Sequence, residues 1–118
     1  MKIGIDLVDH SNFREVFSED FRDKIFSPKE IEYCESHSSP LNHFSGRFAA
    51  KEAIRKAFFQ YGVDIYLSKI QIWSGDNNIP SVIIDSLTPD YDIEISISHG
   101  LDSSIAVAIV TKRPMLNI

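Results

Sequence analysis

Residues 42–60 constrain the fold more than any other segment, because they carry the longest helical periodicity in the chain. At 100° per residue, Ala49, Ala50, Ala53, Ile54, Ala57 and Phe58 fall on one continuous arc. That face is apolar and small, so it must be covered, and a sheet can approach it closely. Arg47, Lys51, Glu52, Arg55 and Lys56 fill the remaining arc, an arrangement that is ordinarily a solvated face. Phe44 and Phe48 also lie in that arc, where a solvated face has no use for them. Glu52 and Lys56 stand four apart with the acid first, one turn from each other. Two readings follow. The pair is a surface ion pair, or Glu52 is a Mg²⁺ ligand beside a phosphate-binding Lys56, with Arg47 and Lys51 gripping further phosphate.

The flanking segments indicate what covers this helix. Residues 2–8 alternate, with Ile3, Ile5 and Leu7 on one face and Gly4, Asp6 and Val8 on the other, which predicts a half-buried strand. Asp9 to Phe17 predicts a short helix capped by Asp9 or Ser11. Ser27-Pro28-Lys29-Glu30 opens another helix with a capping box and proline in the first turn; it turns Ile31 and Cys34 inward and stops near Ser36 to Pro40. After Gly62 the period changes to two. Residues 70–74 and 81–85 predict a hairpin around the turn Gly75-Asp76-Asn77-Asn78, and residues 93–97 and 105–110 a second pair around His99-Gly100-Leu101-Asp102. The order β-α-α-α-β-β-β-β predicts an α+β fold: an N-terminal strand, three helices, then mainly antiparallel strands, in one domain spanning 1–118.

Composition narrows the function classes. The 118 residues are 43% apolar and carry a net charge of −5, which argues against duplex DNA or an anionic membrane as the main partner. The cations are unevenly distributed: residues 1–60 hold nine Lys/Arg against ten Asp/Glu, and residues 61–118 hold three against seven. A local positive surface in the first half is therefore compatible with the global sign. The chain shows neither a transmembrane run nor a signal peptide's apolar centre, and its single cysteine, Cys34, excludes an internal disulfide; together these predict a cytoplasmic protein.

Two further segments can carry chemistry. Asp6 is a carboxylate inside a strand, which is disfavoured unless it is paired. It faces solvent or a nearby lysine, or it is a hard-cation ligand together with oxygens from another element. Ser96-Ile97-Ser98-His99-Gly100 lacks a nucleophile-elbow pattern, but its hydroxyls, imidazole and turn amides suit a small phosphate cradle.

In order and spacing, these segments resemble the holo-acyl-carrier-protein synthases, the small type of 4′-phosphopantetheinyl transferase. The resemblance runs almost end to end. It rests on Ile3-Gly4-Ile5-Asp6-Leu7, Phe26-Ser27-Pro28-Lys29-Glu30, Gly46-Arg47-Phe48-Ala49-Ala50-Lys51-Glu52-Ala53 and Ser96-Ile97-Ser98-His99. The eight-residue helix motif is the most specific of these. The resemblance implies transfer of the phosphopantetheine arm of coenzyme A to a serine of apo acyl carrier protein, releasing adenosine 3′,5′-bisphosphate. It implies Asp6 and Glu52 as Mg²⁺ ligands, Lys56 as the catalytic-helix lysine near the pyrophosphate, and Arg47 and His99, with Lys51 and Ser98 beside them, at the coenzyme's phosphates. The serine's proton passes to a metal-bound water or to a site carboxylate, Glu52 or Asp6. The resemblance also implies a homotrimer with active sites at the subunit interfaces, which would make Phe44 and Phe48 interface or pocket residues. Arg14, Arg22, Lys24 and Lys29 are then the cations available to an acidic carrier.

The chain departs from the family pattern at Asn12, where an arginine is usual, with Arg14 two residues later. Asn77-Asn78-Ile79-Pro80 replaces the usual Asn-Gly-Lys-Pro, so the lysine's charge is missing, while Asn78 can adopt the left-handed conformation that glycine would supply. Gln60-Tyr61-Gly62-Val63 keeps one glycine of a richer loop. Two other readings stand beside the transferase. One is a non-catalytic relative that binds a carrier protein or coenzyme A. The other is an unrelated Mg²⁺-dependent phosphohydrolase, which would be expected to show more than two well-separated carboxylates.

Overall fold

The computed structural model describes residues 1–75 and 77–114; Asp76, part of the expected hairpin turn, lies outside the described residues. Strand β1 (Lys2–Asp9) leads into α1 (His10–Val16), α2 (Glu19–Ile25), α3 (Pro28–Glu35) and α4 (Pro40–Phe59). A 3-10 turn (Leu67–Lys69) then precedes β2 (Gln71–Ser74), β3 (Pro80–Ile83), β4 (Tyr91–His99) and β5 (Ser103–Lys112). The α+β class is as expected, but among the described residues four α-helices stand where three were predicted. The additional one, α2, is a seven-residue helix with no fully buried residue, started by Ser18 accepting from the Phe21 amide at 3.1 Å. It is too short to carry a readable period.

Local sequence explains the other helix starts. Asp9, rather than Ser11, caps α1 by accepting from the Asn12 amide at 3.0 Å. Ser27 and Glu30 form the predicted capping box on α3, with Pro28 in its first turn. The strands form two units: a three-stranded antiparallel sheet in the order β1-β5-β4, and the separate β2-β3 hairpin. In that hairpin Asn78 takes φ 59°, the left-handed conformation its position requires.

Helix α4 lies across the inner face of the large sheet. Ala49, Ala50, Ala53, Ile54, Ala57 and Phe58 are all fully buried, as the alanine arc predicted. A Cβ built on Gly4 would lie 1.8 Å from the Ala53 carbonyl oxygen, so only glycine lets β1 and α4 approach this closely. The opposite side of α4 is solvated only in part, at residues such as Arg55 and Lys56. Phe44 and Phe48 pack into a cluster with Phe13, Phe17, Phe21 and Phe26 from the preceding helices, with centroid separations such as 4.8 Å for Phe17–Phe44 and 5.5 Å for Phe13–Phe48. Within one chain, Phe44 is a buried core residue and Phe48, partly buried, packs beside it, so the pair holds α1 and α2 against α4. Among the described residues, no helix is long and apolar enough to cross a membrane.

Candidate active site

The charged residues of α4 divide between two faces of the helix. The first group forms where β1 meets α4. Asp6, on the inner face of β1, is held against α4 by the Gly4–Ala53 approach. The Lys56 ammonium donates to Asp6 Oδ1 and to the Ile5 carbonyl, each at 3.0 Å. β1 is an edge strand of the sheet, and α4 side chains reach its outward carbonyls: besides Lys56, Gln60 donates to Ile3 O at 2.7 Å. Glu52 lies one turn before Lys56. Its carboxyl is pushed above the usual range, first by partial burial and then by the negative charge of Asp6, while Arg55 and Lys56 act against the shift. The strand and the helix thus bring two carboxylates and one ammonium together.

This donor set suits a hard cation. It consists of oxygens from two elements, and among the described residues no group of three or more His, Cys, Asp and Glu side chains converges. Mg²⁺ typically takes one or two carboxylates and completes its sphere with water and substrate phosphate, so two carboxylates whose charges repel one another fit it.

The second group surrounds a pocket of about 250 Å³ lined by Tyr33, His43, Arg47, Ser74, Asn78 and His99, among others. The Arg47 guanidinium stacks on the Tyr33 ring at 3.9 Å, and its Nη2 donates to Ser74 Oγ at 2.6 Å. Only 5% of Arg47 is exposed, and its Nε has no partner among the described residues. An arginine buried without a carboxylate partner calls for an anion. His99 lies at the end of β4 over Gly46, where a Cβ would come within 2.3 Å of His99 Cε1. Its pKa is lowered by burial and by His43, His10 and Arg47.

Two expected site residues lie elsewhere. Lys51 is fully buried and bonds to Glu30 Oε1 at 2.8 Å, Ile25 O at 2.7 Å and Leu67 O at 3.4 Å. All three of its donors are used inside the protein, so it has none for a phosphate. Glu30 also accepts from the Ser27 and Ile72 amides, which makes the pair a tie between α3, α4 and β2. Ser98, opposite Ile105 on the exposed face of β4, is not among the residues that line this pocket, whereas Ser96, two residues earlier on the same face, is. The sequence reading missed Tyr33, Ser74 and His43, whose roles depend on where α3, β2 and the first turn of α4 converge. Cys34 is buried, and its thiol is pushed up to about 12 by burial, which excludes it as a nucleophile. Arg22 pairs with Asp23 and Glu35, and Lys29 lies over Trp73 at 4.3 Å. Arg14 and Lys24 are exposed and form no ion pair among the described residues.

The family model described as the 4′-phosphopantetheinyl transferase superfamily matches residues 2–110. The chain belongs to that superfamily. It is 31% identical to the holo-[acyl-carrier-protein] synthase of Aquifex aeolicus, over 94% of this chain and 98% of that protein. It is 34% identical to the Chlorobaculum parvum protein of the same name, over 93% and 97%. The holo-[acyl-carrier-protein] synthase of Helicobacter pylori, solved in complex with coenzyme A, matches in fold with a TM-score of 0.79 at 29% identity, over 92% of this chain and 99% of that one. Family membership makes the chain a phosphopantetheinyl transferase, in the α+β fold expected of one.

Proposed function

We propose that this chain transfers the 4′-phosphopantetheine group of coenzyme A to a serine of an apo acyl carrier protein. The observation that carries the proposal is the meeting of Asp6, Glu52 and Lys56 at the β1–α4 contact in a member of this superfamily. In the reaction the serine oxygen forms a bond to the phosphorus that bears the pantetheine arm. The bond from that phosphorus to the adenosine 5′-phosphate oxygen breaks, and adenosine 3′,5′-bisphosphate leaves with the electron pair. The serine proton passes to Glu52 or Asp6, the carboxylates at the site. Lys56 uses two of its three N–H groups on Ile5 O and Asp6 Oδ1, and the third is available to the leaving phosphate. Asp6 and Glu52 are the residues that would hold Mg²⁺, which when bound would neutralise pyrophosphate charge. Arg47 and His99 would take the phosphates of the adenosine end.

A homotrimer is part of the same proposal. Arg47 and Lys56 are nine residues apart, so they point about 180° from one another and lie about 13.5 Å apart along the α4 axis. One chain therefore presents its carboxylate group and its Arg47–His99 pocket on opposite sides of one helix. The outer sheet face is apolar and open: Ile3, Ile5 and Leu7 are 52%, 57% and 65% exposed, opposite Ile109, Val107 and Ile105. A face of this kind favours a second copy of the chain, which would supply the complementary half-site. A cytoplasmic location is the setting in which coenzyme, carrier and an unpaired Cys34 thiol fit together.

The test is to incubate the protein with coenzyme A, Mg²⁺ and an apo carrier protein and to weigh the carrier by mass spectrometry. The expected product is a phosphopantetheine adduct, lost in both Asp6→Asn and Glu52→Gln. An adduct that survives both substitutions rejects the carboxylate assignment, and no adduct with any carrier rejects the transfer.

A further inference from the structure

His99 is joined to a buried network that decides where its proton lies. Ser104 is fully buried, and three groups meet at its hydroxyl. His10 Nε2 is 2.8 Å away, His99 Nδ1 2.9 Å, and Ser45 Oγ, itself fully buried, donates to it at 2.8 Å. Behind them, His10 Nδ1 faces the Leu101 carbonyl at 3.2 Å.

The donors and acceptors can be counted. A carbonyl only accepts, so His10 carries its hydrogen on Nδ1. With its one ring hydrogen on Nδ1, His10 presents Nε2 to the Ser104 hydroxyl as an acceptor. Ser104 has one hydrogen and donates it there. Its two lone pairs remain, and Ser45 fills one. His99 Nδ1 must fill the other as a donor. The His99 hydrogen is thereby fixed on Nδ1, and Nε2 carries a bare lone pair where the ring lines the pocket beside Arg47. A lone pair cannot donate to a phosphate dianion.

We propose that Ser104, backed by His10, is a positioning residue that locks His99 in its Nδ1–H form, so that His99 takes up a proton at Nε2 when it engages an anionic phosphate of the coenzyme. The proposal rests on the coenzyme reading of this pocket. The charged and titratable groups facing His99 are His10 from α1 and His43 and Arg47 from α4; Tyr33 from α3 also lines the pocket, and His37 stacks behind His43 at 4.0 Å. None of the lining residues is a carboxylate that would supply the charge locally. Burial of the ring first, and then the nearby Arg47 charge, lower its proton affinity below the ordinary imidazole range, which favours the neutral ring in the free protein. An anion beside Nε2 raises it. Between the free and bound values, binding consumes one proton, and affinity falls about tenfold for each pH unit of increase. Below the free value the ring is already charged and the dependence ends.

The probe is adenosine 3′,5′-bisphosphate bound to the full chain. NMR of histidine labelled with ¹⁵N is expected to show a pyrrole-type Nδ1 and a pyridine-type Nε2 for His99 in the free protein, and an imidazolium once the bisphosphate is added. Calorimetry between pH 7 and 8.5, in buffers of different ionisation enthalpy, is expected to count close to one proton taken up. Above about pH 6 the phosphates themselves are largely dianionic. Ser104→Ala is expected to free the tautomer, lower the proton count and flatten the pH dependence, and Ser104→Thr, which keeps the hydroxyl, to restore all three. An Nε2–H tautomer in the unaltered protein overturns the proposal, whatever the variants do. So does a Ser104→Ala protein that folds with tautomer and proton count unchanged. If the tautomer is as expected but the unaltered protein does not bind the bisphosphate, the coenzyme reading fails and the coupling with it, while the network itself stands.

Discussion

At the scale of single residues, the structure separates charges that the sequence grouped together. Lys51 and Lys56 are five positions apart on one helix. Lys56 is more than half exposed and bonds to Asp6, whereas Lys51 is fully enclosed with Glu30. Burial lowers the Lys51 pKa, and Glu30 opposes that shift through its charge and its hydrogen bond. Breaking such a buried pair leaves a lone charge in the interior, which costs about 3–5 kcal/mol. Lys51→Met and Glu30→Leu are each expected to lose stability on that order in urea titrations. The double variant should recover most of the loss, because two apolar groups can replace a buried pair at little net cost. A double variant no better than the single ones would mean that the Ser27 and Ile72 amides, rather than the ion pair, depend on Glu30.

At the scale of elements, two glycines set how close α4 comes to the sheet, Gly4 beside Asp6 and Gly46 beside His99, one in each of the proposed half-sites. The missing Cβ of Gly4 is what allows β1 to press on the Ala53 carbonyl, which is rigid backbone. Gly4→Ala is therefore expected to be strongly destabilising, at or above the roughly 1–3 kcal/mol typical of overpacking, and to lose transfer activity as Asp6 moves away from Glu52. At Gly46 the obstacles are the His99 ring and Ile97 Cγ2, side chains that can give way at the expense of the His99–Ser104 hydrogen bond. Gly46→Ala should cost less than Gly4→Ala, about 1 kcal/mol for the strained or lost His99 hydrogen bond, while weakening adenosine 3′,5′-bisphosphate binding at least tenfold. Thermal melts and calorimetry on the two variants separate the effects; equal stability losses would mean that His99 is held as rigidly as the backbone. The same helix shows what periodicity could and could not convey. The alanine arc was legible because small apolar residues recur at the spacing that faces a sheet. The burial of the other side was signalled only by Phe44 and Phe48, since the phenylalanines they pack against come from helices whose packing no local period encodes.

At the scale of the whole molecule, the two half-sites on opposite faces of α4 and the open apolar sheet face lead to one expectation. Leu7→Asp, on the exposed outer face of β1, is expected to give a smaller species in sedimentation experiments and to lose transfer activity while retaining the secondary structure of the fold. Mixing Glu52→Gln with His99→Ala, each inactive alone, is expected to recover activity, because a mixed assembly pairs an intact carboxylate group with an intact pocket. No recovery on mixing, with both variants folded and assembled, would mean that one chain contributes the whole site.

The sequence by itself determined the local features: the capping box at Ser27, a helix start at Asp9 or Ser11, the alanine face, the alternation of the strands and the α+β order. Each is settled by interactions within a few residues. The roles proposed for Asp6, Glu52, Lys56, Arg47 and His99 came from the family resemblance of their motifs, not from any local period. Only the tertiary structure decided that Lys51 is enclosed by Glu30 and that Ser96, rather than Ser98, lines the pocket. It alone joined Ser104 and His10 behind His99, partners that lie five and eighty-nine positions from it along the chain. Burial and hydrogen-bond partnership are set by which distant segments share space, and a single chain's periodicity carries no record of that.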